Sequence, residues 1–114
     1  MKKITVFCAI LFIAFSAFAQ RPVTILGAYS CGKWVEYRKE NRTEISHWVY
    51  GFLASENFKL SYNPNMPDIL LGVGPESLDL WMDKYCRENP LNSVSSGVTG
   101  LFIDLLVKAP PMRK

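Results

Sequence analysis

Apolar residues recur at helical spacing in four segments of this chain, and each segment is bounded by residues that start or stop helices. Cys31, Trp34, Val35 and Tyr37 mark a short first helix with Ser30 as its N-cap. Lys33, Glu36, Arg38, Lys39 and Glu40 fall on its water-facing side. Ile45, Trp48, Val49, Phe52 and Leu53 predict a second helix over about 43–57, with Asn41 and Glu44 spaced as a capping box. Gly51 weakens that helix by about 1 kcal/mol relative to Ala, and suggests a close approach by another helix. A third helix opens on Pro75 or Glu76, buries Leu78, Trp81, Met82, Tyr85 and Cys86, and ends at Asn89-Pro90. Its other face carries Asp79, Asp83, Lys84, Arg87 and Glu88; Asp79 and Asp83 sit early and Lys84 and Arg87 late, as the helix dipole favours. Pro90 opens the fourth, whose stripe is Leu91, Val94, Val98, Leu101, Phe102, Leu105 and Leu106. Gly97 and Gly100 weaken its middle, and Pro110-Pro111 stops it.

Between these segments the chain reads as connection. Val23-Thr24-Ile25-Leu26 is an extended strap. Asn57 to Pro75 is rich in Asn, Pro and Gly and reads as a long surface loop, tacked to the core by Ile69-Leu70-Leu71. No repeat, low-complexity segment or internal linker divides the chain. The expected fold is all-α, a small four-helix orthogonal bundle forming one domain over 20–114.

The first nineteen residues have a different character. Lys2 and Lys3 precede an almost unbroken apolar run from Ile4 to Phe18, and Ala17-Phe18-Ala19 offers a small-x-small cleavage pattern. This is the pattern of a secretory signal peptide over 1–19. The run is shorter than the roughly 20 residues that span a bilayer, which makes a retained anchor the lesser alternative. Cys8 does not sit in a lipobox, because Thr5-Val6-Phe7 precede it and the apolar run continues after it. The expected product begins at Gln20, exported, soluble and without membrane contact after cleavage.

Loss of the leader leaves Cys31 and Cys86. Two cysteines in a small exported chain predict one disulfide, joining the first helix to the third. A link closing so long a loop contributes about 4 kcal/mol by chain entropy. Two buried free thiols are the alternative, favoured only in a reducing compartment. Removing Lys2 and Lys3 from 13 basic residues leaves 11 against 10 acidic ones, a balance near +1. No basic stripe remains, and nucleic acid is not an expected partner. Arg113 and Lys114 read as a solvated terminus.

The order of motifs now carries a resemblance. Ser30-Cys31-Gly32-Lys33-Trp34-Val35 opens a helix, Trp48-Val49-Tyr50-Gly51-Phe52-Leu53 forms an aromatic one, and Leu80-Trp81-Met82-Asp83-Lys84-Tyr85-Cys86-Arg87-Glu88-Asn89-Pro90 leads into the last. Over about residues 29–107 the chain resembles the HdeA/HdeB family of small periplasmic acid-stress chaperones. Tyr85-Cys86-Arg87-Glu88-Asn89-Pro90 looks like the HdeB form of the second cysteine motif. The resemblance implies a periplasmic location, a helical fold with Cys31 and Cys86 bridged, and no catalytic residues. This chain departs from the family in its longer, Pro-rich second connection and in its tryptophans. A related layout occurs in immunity proteins that neutralise toxins of the type VI secretion system, so the framework speaks to fold more than to role.

The remaining chemistry is sparse. The single histidine, His47, has Glu44, Tyr50 and Gly51 about one turn away, which makes no metal set or catalytic base. Asp79 and Asp83 lie at i,i+4 and read as solvated charge rather than as an acid–base pair. Gly72-Val73-Gly74 is too short to cradle a phosphate. No cofactor and no metal is expected, and enzymatic activity is not.

Trp34, Trp48 and Trp81 fall on predicted core faces. With Phe52 they are also the candidate binding surface, exposed when the fold loosens or a homodimer parts. At about pH 2 the carboxylates are neutral while 11 bases and His47 stay charged, a net charge near +12 that repels and loosens packing. The expected function is a non-enzymatic periplasmic protein-binding protein, read as an acid-stress holdase for unfolding clients. A specific inhibitor or immunity protein that neutralises one protein partner is the alternative.

Overall fold

The structure, a computed structural model, describes residues 22–111. The predicted leader, Cys8, the start at Gln20 and the basic tail lie outside the described residues. Four helices follow in order, α1 Cys31–Lys39, α2 Glu44–Leu60, α3 Pro75–Glu88 and α4 Val94–Lys108. No strand is present among the described residues, so the fold class is all-α. No helix among them is long and apolar enough to cross a membrane.

α3 is the hub, packing on α1, α2 and α4. Cys31, Trp34, Ile45, Val49, Leu53, Leu78, Met82, Cys86, Val94, Val98 and Leu101 form one buried cluster drawn from all four helices. Their sequence spacing is the helical spacing read above, so each helix turns one apolar stripe inward. Cys31 and Cys86 are joined in a disulfide with Cα atoms 4.9 Å apart. It crosses from the first turn of α1 to the last turn of α3.

Local chemistry sets the helix starts. Ser30 is extended, and its hydroxyl accepts the Lys33 N–H at 3.1 Å. Ser93 does the same for Ser96 at the head of α4. The two caps lie side by side as an antiparallel bridge, with the Cys31 N–H donating to Asn92 O at 2.9 Å and the Val94 N–H to Tyr29 O at 2.8 Å. Gly74 precedes Pro75 at the first position of α3, where proline's missing N–H has no partner to lose.

Several expectations change. The N-cap of α2 is Thr43, not Asn41. Asn41 instead takes φ 53° in the turn that leaves α1, a left-handed conformation that asparagine tolerates. α2 runs to Leu60, three residues past the expected end, before Ser61 caps it. α4 begins at Val94 rather than Pro90, and Leu91 is 98% exposed rather than part of the stripe. The Ser30–Ser93 bridge accounts for both, since it needs extended backbone where the stripe pattern continues the helix.

A Cβ added to Gly51 would meet nothing within 4 Å, so no helix approaches there. The close approach falls at Gly97, where a Cβ would lie 2.7 Å from Met82 Cε and from Tyr85 Cδ1. In the long connection, Ile69 is buried, while Leu71 is 68% exposed and does not tack the loop down. Asn57 holds this return: its side chain donates to Asp68 Oδ1 at 2.8 Å and accepts the Ile69 N–H at 3.0 Å.

Candidate functional site

The densest polar chemistry in the molecule lies along the α1–α3 seam. α1 and α3 run antiparallel there. The disulfide closes one end, and Arg38 meets two aspartates at the other. Arg38 donates from Nε to Asp83 Oδ1 at 2.9 Å, from Nη2 to Asp83 Oδ2 at 3.0 Å, and from Nη1 to Asp79 Oδ2 at 3.1 Å. The pairing with Asp83 is two-pronged, the geometry that the planar guanidinium favours. Between the two ends, the Trp34 indole N–H donates to the same Asp83 Oδ1 at 2.8 Å.

This arrangement corrects the reading of Asp79 and Asp83 as solvated charge. Their side chains are only 13% and 27% exposed, and both are engaged. Arg38 likewise leaves the water-facing set of α1. One turn of helix separates the two aspartates, so both carboxylates reach one guanidinium. The hydrogen bond with Asp83 pushes Arg38 above its ordinary pKa, so it stays cationic. From α2, Tyr50 is pushed up to about 12, first by burial and then by the Asp79 carboxylate. Its phenol is therefore a neutral group beside the pair.

The second seam repeats the device. On α3, the Trp81 N–H donates to Asp104 Oδ2 of α4 at 3.1 Å, and Lys108 reaches the same oxygen at 2.8 Å. The Lys108 ammonium, and then the indole N–H, hold Asp104 below the usual carboxylate range. Trp81 stacks on Tyr85 with ring centroids 5.7 Å apart. Trp48 on α2 differs: its N–H donates to the Leu26 carbonyl of the strap at 3.0 Å, and its ring stacks on Phe52 at 5.9 Å.

The four candidate surface residues thus fall in three places. Trp34 is 1% exposed and lies in the core, inaccessible to a partner while α1 is docked. Trp48 and Phe52 are half-buried together under the strap, and Trp81 is half-buried at the α3–α4 seam. The sequence reading missed the aspartate partners of Trp34 and Trp81. A helical wheel shows which face is polar, but not that two polar faces meet.

Open clefts accompany these seams among the described residues. One of about 490 Å³ lies between α2 and the 61–74 loop, and Phe58, Met66 and Leu70 are among its walls. Its polar walls Asn57, Ser61, Asn63 and Asp68 all make internal hydrogen bonds. A second, of about 500 Å³, follows the α1–α3 pair past Val35, Arg38, Lys39, Asp83, Cys86, Arg87 and Pro90. A third separates the strap from Trp48, Gly51 and Phe52. His47 is exposed, with its ring 5.8 Å from that of Tyr50. Among the described residues, no group of three or more His, Cys, Asp and Glu is placed to hold a metal ion. The arrangement offers seams fastened by carboxylates and clefts that stand open beside them. No family model, no curated protein and no solved structure matches the chain.

Proposed function

We propose that this chain is a non-enzymatic periplasmic binding protein similar to the HdeA/HdeB family, and that it acts as an acid-stress holdase. Orthogonal packing of the four helices and export by a cleaved leader belong to the same reading. The observation that carries it is the contrast between two kinds of fastening on α3. The carboxylates of Asp83 and Asp104 each hold a tryptophan N–H across a seam, and Asp79 and Asp83 hold Arg38. Protonation of a carboxylate weakens the charge-assisted bonds it accepts, so these seams are the fastenings that acid attacks. The Cys31–Cys86 link does not titrate. Acid therefore frees α1 and α4 from α3 while the covalent tether keeps the chain from opening fully. Trp34 and the buried cluster around it would then meet a client.

The test is direct. The disulfide-bonded protein, in several-fold molar excess at pH 2–3, is expected to suppress light scattering by an acid-labile client protein, and to lose that effect at pH 7. Scattering unchanged at pH 2–3 would end the proposal. A second reading, an inhibitor that caps one protein partner, is favoured by the α1–α3 cleft, which stands open with the seams fastened. It requires one-to-one binding at pH 7 instead.

A further inference from the structure

The α1–α3 cleft has an unbalanced rim. Arg38, Lys39 and Arg87 stand around it, with Asp83 as its acidic wall residue. Asp83 is already bound by two guanidinium nitrogens and one indole N–H, so its charge is committed to the seam. Among the described residues, neither Lys39 nor Arg87 has a carboxylate within ion-pair distance; Glu36 pairs with Lys33, and Glu40 with Arg42. The floor between these cations is apolar: Val35, the Cys86 end of the disulfide, and Pro90. Pro90 leads into Leu91, which is almost fully exposed.

A volume of about 500 Å³ admits one or two side chains of a partner rather than a folded surface. We propose that this cleft is a docking site, at neutral pH, for an acidic segment of a partner protein. An aliphatic or aromatic side chain of that segment fills the floor, and flanking Asp or Glu residues pair with Lys39 and Arg87. Charge complementarity selects the partner: a basic segment would meet two uncompensated cations, and an uncharged one would leave them unpaired. The site does not depend on acid loosening, because its walls are set by the fastened seam. The inference therefore goes beyond the holdase reading and survives its failure.

The probe is a pool of fluorescein-labelled hexapeptides, Asp-Glu-X-X-Glu-Asp, with all natural residues at both X positions. Matching pools carry Asn-Gln or Lys-Arg flanks. At pH 7 and low salt, the acidic pool is expected to bind the disulfide-bonded protein saturably, with large apolar residues enriched at X. The neutral pool should bind about tenfold more weakly and the basic pool not at all. Chemical-shift changes should centre on Val35, Lys39, Arg87 and Pro90. The double variant Lys39→Gln, Arg87→Gln neutralises two exposed side chains, should keep the circular dichroism of the parent with a melting temperature lowered by only a few degrees, and should lose binding of the acidic pool by at least about tenfold. Absence of saturable binding, equal binding of the three pools, or an undiminished response in the double variant would overturn the proposal. Suppression of client scattering at pH 2–3 is measured separately, so either idea can fail alone.

Discussion

At Gly97 a methyl group would press on the Tyr85 ring, which cannot swing aside freely. That ring is stacked on Trp81, and its hydroxyl accepts a hydrogen bond from the Asn92 side chain at 2.9 Å. Gly97→Ala is therefore expected to cost about 1–3 kcal/mol through overpacking. Gly51 sits mid-helix with open space beyond it, so Gly51→Ala is expected to gain about 0.5–1 kcal/mol. Urea denaturation of the two variants checks both signs at once. Both glycines look like the same helix weakness in the sequence, because a wheel reports a missing side chain and not the distance to the neighbour that excludes it. Tyr50 makes a prediction at high pH. Its folded-state value, raised to about 12 from 10, means that the unfolded chain gives up the phenol proton first. Its contribution is complete below pH 10 and is lost as pH rises through 12. Tyr50→Phe should flatten that alkaline fall in a series of melting temperatures; an unchanged slope would remove the role given to burial beside Asp79.

The helices themselves were largely legible. The Ser30 cap, the span of α3 from Pro75 to the Asn89-Pro90 stop, and the buried stripe Val94, Val98 and Leu101 all follow from spacing and termination chemistry. What spacing cannot convey is how one element constrains another. The start of α4 is set by a backbone bridge to a segment more than sixty positions earlier, and the site is set by polar faces of α1 and α3 that meet. The seams have an acid-side consequence. Asp104, held below its usual range, contributes stability that is present above about pH 4 and lost as pH falls through its folded value. Asp83→Asn removes the charge at the other seam while keeping the side chain's shape. It is expected to speed hydrogen exchange of the α1 amides at pH 7, with α2 little changed, because α2 does not share that pairing. Equal protection in both proteins would show that the Arg38–Asp83 link does not hold α1 down.

For the molecule as a whole, the tether and the hub act together. Replacing Cys31 and Cys86 by Ser is expected to lower stability by about 4 kcal/mol, enough to leave so small a domain partly unfolded at 37 °C. Thermal melts with and without reductant check this, and an insensitive melt would mean that the apolar cluster suffices alone. The helix order of the bundle also governs how the chain is made. α1 lies against α3 and its cap against that of α4, so the first of the described helices finds its shelter in the last two. Until position 86 follows, Trp34 stays uncovered and Cys31 remains a reactive thiol without its mate. Whatever escorts the nascent polypeptide must guard both over the 55 positions that separate the two cysteines.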